Sequence, residues 1–127
     1  MWEQYKSSAK KIRGLKQTHQ PSPWINDYGQ FSLLPTVGKP VFDEAKRASW
    51  FSHKAEKAIP YYYSVYLADY DVTAELCPTE RAALMAFTFP KTDQANVVID
   101  AFDKGSCIQV IPAERKVIGF STRNSGG

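Results

Sequence analysis

Between Pro60 and Thr122 the sequence leaves little choice of fold. PYYYSVYL (60–67), DVTAELC (71–77), RAALMAFTFP (81–90), NVVIDAF (96–102), SCIQVIP (106–112) and KVIGFST (116–122) are short and rich in aromatic and β-branched residues. Brief turn-forming stretches separate them: Ala68–Tyr70, Pro78–Glu80, Lys91–Ala95, Asp103–Gly105 and Ala113–Arg115. DVTAELC alternates, with Val72, Ala74 and Leu76 on one face and Asp71, Thr73 and Glu75 on the other. RAALMAFTFP puts Ala83, Met85, Phe87 and Phe89 on one face. Read alone, RAALMA also suits a helix, but its neighbours argue for a strand. Six strands at roughly 8–12-residue spacing predict one antiparallel sheet, most simply part of a β-sandwich.

Upstream, GQFSLLP (29–35) reads as a further strand and KKIRGLKQ (10–17) as another candidate. VFDEAKRASWFSHKAEKAI (41–59) has helix-friendly composition without an apolar stripe. It is expected to be mostly irregular, with a helical turn near Asp43–Ala48. RNSGG (123–127) reads as a loop between strands. The strand run therefore suggests a piece of a larger sheet assembly, with sheet edges prone to association.

Composition narrows the function classes. The 127 residues suffice for one core, and 43% are apolar, which is ordinary for a globular domain. A net charge of +3, scattered along the chain, is no footprint for nucleic acid; Lys10, Lys11, Arg13 and Lys16 decorate a solvated segment. Residues 1–16 lack an apolar run, and no window approaches the roughly 20 apolar residues of a membrane span. Two cysteines, Cys77 and Cys107, lack CxxC spacing, which argues against zinc. They read as buried thiols, with a disulfide between neighbouring strands as the alternative. Aromatic residues make up 13%, a high share that suits strands and also sugar or base stacking.

No GxSxG, P-loop, GxGxxG or HExxH motif is present. Two stretches carry candidate binding residues. In HQPSPWINDYGQF (19–31), Pro21 and Pro23 hold the backbone extended and remove two N–H donors. Such a stiff loop displays the Trp24 face, which fits the C–H face of a sugar ring, beside the hydrogen-bonding groups of His19, Gln20, Asn26 and Asp27. The plainer alternative is a connecting loop with Trp24 in the core and Asp27 capping a turn. In WFSHKAEKAIPYYY (50–63), His53 and Glu56 precede a three-tyrosine strand; here the alternative is a solvated loop.

Taken together, H-Q-P-S-P-W, F-S-H-x-x-E, Y-Y-x-V-x-L and T-E-R-A make the chain resemble, from about Tyr5 to Gly127, the N-terminal domain of glycoside hydrolase family 92, the exo-acting α-mannosidases. The resemblance implies an all-β, antiparallel β-sandwich of the supersandwich, galactose-mutarotase-like kind, present here as an incomplete domain over residues 1–127. In the family this sandwich packs on a C-terminal (α/α)6 barrel that the chain lacks. The interdomain active site binds Ca2+, whose ligands come from the helical domain. The enzymes remove α-linked mannose from glycans with inversion, using an acid and a base that also come from that domain.

By this resemblance no catalytic residue and no metal ligand lies in the chain, which alone is expected to be inactive. Its substrate-binding candidates are Trp24 as sugar platform, His19 and Asp27 as hydroxyl partners, and Gln20, His53 and Glu56 lining the site or bracing the domain interface. The implied partners are a mannose-containing glycan and the helical domain, with neither nucleic acid nor membrane. The parent enzyme is expected to be secreted or periplasmic. A free-standing carbohydrate-binding module is the alternative.

Overall fold

The computed structural model describes residues 10–16, 31–101 and 106–120. Its largest unit is a four-stranded antiparallel meander: β5 (Lys57–Ile59), β6 (Tyr62–Leu67), β7 (Val72–Pro78) and β8 (Ala83–Thr88). Each turn in it has a local cause. At the β6–β7 turn the Tyr70 amide donates to the Leu67 carbonyl, and Asp71 takes a left-handed φ of 53°, which a short polar side chain tolerates. Between β7 and β8 the Thr79 amide and hydroxyl both donate to the Ala82 carbonyl, while the Ala82 amide donates back to Thr79 Oγ1.

A second, three-stranded antiparallel sheet runs β2 (Leu15–Lys16), β3 (Ser32–Val37), β9 (Ala95–Asp100). Pro35 sits inside β3, opposite Val97 of β9. It lies past the end of β2, which pairs only with Ser32 and Leu33, so its missing N–H costs that ladder nothing. The strand therefore runs on to Val37, beyond the proline that was expected to end it.

Leu15 and Leu34 of this sheet join Val65, Leu67, Val72, Ala74 and Leu76 of the meander in one buried cluster. Met85, Phe87 and Phe89 pack against it, on the face that the alternation of 81–90 predicts. Two antiparallel sheets closing on a shared apolar layer make the expected all-β sandwich. Burying such side chains is worth roughly 1.5–3 kcal/mol each before chain entropy is counted.

Several expectations need correction. The six segments from 60 to 122 do not form one sheet: β9 crosses over to the three-stranded sheet, and β10 (Cys107–Ile111) pairs with β11 (Lys116–Phe120) through a 3-10 turn over Pro112–Glu114. The described part of the 10–17 segment, residues 10–16, holds two strands, β1 (Lys11–Ile12) and β2, broken at Arg13–Gly14. A Cβ on Gly14 would fall 2.7 Å from Ser32 Oγ, so the chain passes there only because the residue is glycine.

The 41–59 stretch holds the expected helical turn, α1 (Glu44–Arg47), with Asp43 Oδ1 accepting the Lys46 amide at 2.9 Å. It also holds two short strands that periodicity misses, β4 (Ser49–Trp50), paired with β1, and β5. Cys77 and Cys107 are neither buried nor bonded; both thiols are exposed and free. Among the described residues no helix is long and apolar enough to cross a membrane.

β4 is fastened on two sides. The Ala68 amide donates to the Trp50 carbonyl, and the Trp50 amide donates to Asp69 Oδ2. Buried Ser49 Oγ accepts the Asp69 amide. Just upstream, buried Arg47 forms an ion pair with Asp100 at the end of β9 and donates to the Phe42 carbonyl at 2.7 Å. The Tyr70 hydroxyl donates to the Arg47 carbonyl. The segment leading into the β4–β5 loop is thus tied to both sheets.

Candidate functional site

The β4–β5 loop, Phe51 to Glu56, carries a compact polar constellation. A turn closes where the Ala55 amide donates to the Ser52 carbonyl at 3.0 Å, helped by the Lys54 amide on Ser52 Oγ. That turn folds the chain back so that His53 and Glu56, three residues apart, meet: His53 Nδ1 lies 2.6 Å from Glu56 Oε1. The second oxygen, Glu56 Oε2, accepts the Tyr63 hydroxyl at 2.8 Å. Phe51 meets the imidazole edge-on, with ring centroids 4.7 Å apart. The Glu56 side chain is 5% exposed and that of His53 31%, so a sequestered carboxylate stands behind a surface imidazole.

Tyr63 is the member that the sequence did not single out. In PYYYSVYL every second residue shares a face, and Tyr63 is in register with Leu76, on the side of Val65 and Leu67. Tyr62 and Tyr66 take the other face, where their hydroxyls donate to Glu75 and Asp71. Those carboxylates, through the hydrogen bond first, hold the two phenols above their ordinary pKa of 10.0. Tyr70 is raised as well, chiefly by burial and then by nearby Asp69, with Arg47 opposing.

Of the six predicted binding residues, His53 and Glu56 are therefore brought into contact. His19, Gln20, Trp24 and Asp27 lie outside the described residues. With both oxygens engaged and little exposure, Glu56 does not suit the acid or base of a glycosidase, which must face substrate or water. The arrangement instead orients the imidazole of His53. Among the described residues no three His, Cys, Asp or Glu side chains gather closely enough to hold a metal ion.

Fold and loop together define a two-sheet antiparallel β-sandwich with a polar β4–β5 loop. Residues 2–127 match the family model described as the glycosyl hydrolase family 92 N-terminal domain. The chain belongs to that family. It is similar to the solved structure of a family GH92 inverting mannosidase of Bacteroides thetaiotaomicron, with 42% identity and a TM-score of 0.84 over 96% of this chain and 16% of that one. It is also similar to a family GH92 α-mannosidase of the same organism, solved alone and in complex with mannoimidazole, with 34% identity and a TM-score of 0.68 over 76% of this chain and 14% of that one. The chain thus spans about a sixth of the length of these relatives. No curated protein matches it.

Proposed function

We propose that the chain is the N-terminal sandwich portion of an inverting exo-α-mannosidase, and that it supplies sugar-contacting residues to an active site shared with a C-terminal (α/α)6 domain. The observation that carries this reading is the 42% identity, over nearly the whole chain, to an inverting mannosidase. The mannoimidazole bound by the second relative supports a mannose-like ligand.

Inversion takes a carboxylic acid that protonates the leaving oxygen and a carboxylate that activates water across the ring, roughly 6.5–9.5 Å away. Both belong to the helical domain in this reading, as do the ligands of Ca2+. The sandwich positions the sugar: Trp24 covers a ring face, His19, Gln20 and Asp27 take hydroxyls, and the His53–Glu56 pair lines the same wall. The substrate is a mannose-containing glycan, met outside the cytoplasm.

The test is the kinetics of the complete enzyme. Trp24→Ala leaves the acid and base in place but strips an aromatic anchor worth about 2–4 kcal/mol, so kcat/KM should fall roughly 30- to 1000-fold. If Trp24 is core instead, melting temperature drops and the folded fraction keeps normal kinetics. Normal kcat/KM in folded Trp24→Ala enzyme ends the platform assignment. Calcium-dependent mannose release by the 127-residue chain alone ends the division of labour between domains.

A further inference from the structure

The β10–β11 hairpin carries apolar side chains on both of its faces. Its register pairs Cys107 with Phe120, Gln109 with Ile118 and Val110 with Val117. Alternation then puts Ile118 and Phe120 on one face, and Ile108, Val110 and Val117 on the other. These five side chains are between 38% and 64% exposed. From Cys107 to Ile111 and from Val117 to Phe120 there is no charged residue, although strands kept in water usually carry charges. Among the described residues β10 and β11 pair only with each other, and a two-stranded ribbon is marginal on its own. The tip has the opposite character. Glu114, Arg115 and Lys116 are all exposed, and the Lys116 ammonium lies 3.6 Å from the Glu114 carboxylate. Both faces of the body thus call for apolar cover, while the tip suits water.

We infer that this hairpin is a docking tongue: its apolar body lies between two layers of the polypeptide that follows the sandwich in the parent enzyme, and its charged tip emerges into solvent. This rests on the reading that the chain is part of a larger mannosidase, and it locates one surface through which the parts join. The chain spans 16% of the inverting mannosidase it is similar to, so a parent of that size has ample polypeptide to cover two faces. A second copy of the chain fits less well. A two-fold dimer joins each face to its like and leaves the other face bare, and covering both with copies builds an open-ended stack.

The test uses the complete enzyme. In amide hydrogen exchange, residues 107–111 and 117–120 should be protected as well as β6 and β7, while the tip exchanges fast. A small thiol reagent should modify Cys107 at least about 100-fold more slowly in native than in urea-unfolded enzyme. Val110→Lys and Phe120→Lys, one on each face, should each lower the melting temperature by several degrees, and Glu114→Ala at the tip should not.

Fast exchange of the body together with rapid labelling of Cys107 overturns the inference, and does so whether or not the lysine variants fold. Protection that appears only as enzyme concentration rises makes a second copy the occupant and overturns it too. Loss of stability in only one lysine variant overturns the two-sided cover. Mannose release is assayed on the same preparation: an active enzyme with an unprotected hairpin sinks the tongue alone, and a protected hairpin in a protein without mannosidase activity sinks only the enzymatic reading.

Discussion

Asp100→Ala tests how the segment leading into the β4–β5 loop is held. Asp100 pairs with Arg47, whose side chain is 1% exposed against 19% for the aspartate. Removing the acid takes a carboxylate away from a buried guanidinium that keeps its bond to the Phe42 carbonyl. Breaking a fully buried pair costs about 3–5 kcal/mol. Water can reach the partly exposed Asp100 position, so about 2–3 kcal/mol is expected here.

The cost should fall on local opening of α1 and β4, because the cluster formed by Val65, Leu67, Val72, Ala74 and Leu76 does not depend on the pair. Amide hydrogen exchange by mass spectrometry on the complete enzyme reads this directly. Peptides covering 44–52 should exchange roughly 30- to 150-fold faster, while β6 and β7 stay protected and serve as internal reference. Adding Arg47→Met should recover much of the protection, since an apolar side chain of similar length needs no counter-charge. Exchange in 44–52 that changes less than about three-fold, or rises equally in β6 and β7, would refute the idea that this pair fastens the loop segment.

Three further outcomes follow from surface chemistry. The β10–β11 hairpin leaves Val110 64% and Phe120 59% exposed, and Leu84 on β8 is 73% exposed. The isolated chain should therefore associate or bind apolar dyes, and Val110→Lys with Phe120→Lys should reduce this; a sharp monomer peak without dye binding would count against it. Tyr62, Tyr66 and Tyr70 have raised pKa values, so the folded state keeps phenol protons that the unfolded chain releases. Their contribution to stability is complete below about pH 10 and is lost as pH rises above it. Ultraviolet titration of phenolate should show late-ionising tyrosines in native protein, and Glu75→Ala should bring Tyr62 back toward ordinary behaviour; coincident native and denatured titrations would exclude the effect.

What was legible in the sequence was local. Period-two alternation placed Val72, Ala74 and Leu76 on the buried face of β7, where all three are found. Helix-friendly composition marked the single turn of α1, where Asp43 serves as the N-cap. His53 and Glu56 stood out because they precede the three-tyrosine strand within F-S-H-x-x-E. Alternation, however, says which face of a strand is buried and not which strand lies beside it. The crossing of β9 to pair with β3 depends on contacts far apart in sequence and leaves no periodic trace, as does the Arg47–Asp100 pair, 53 residues apart. β4 and β5, at two and three residues, are too short to show any period. Tyr63 was hidden for a related reason. In a run of three tyrosines nothing distinguishes one ring from the next until register is set, and register is set by the strand opposite. Placing Leu76 across from Tyr63 decides at once which phenol turns inward to the carboxylate behind His53. The residue that completes the site is therefore chosen by a β7 neighbour thirteen positions down the chain, through the same alternation that buries the core.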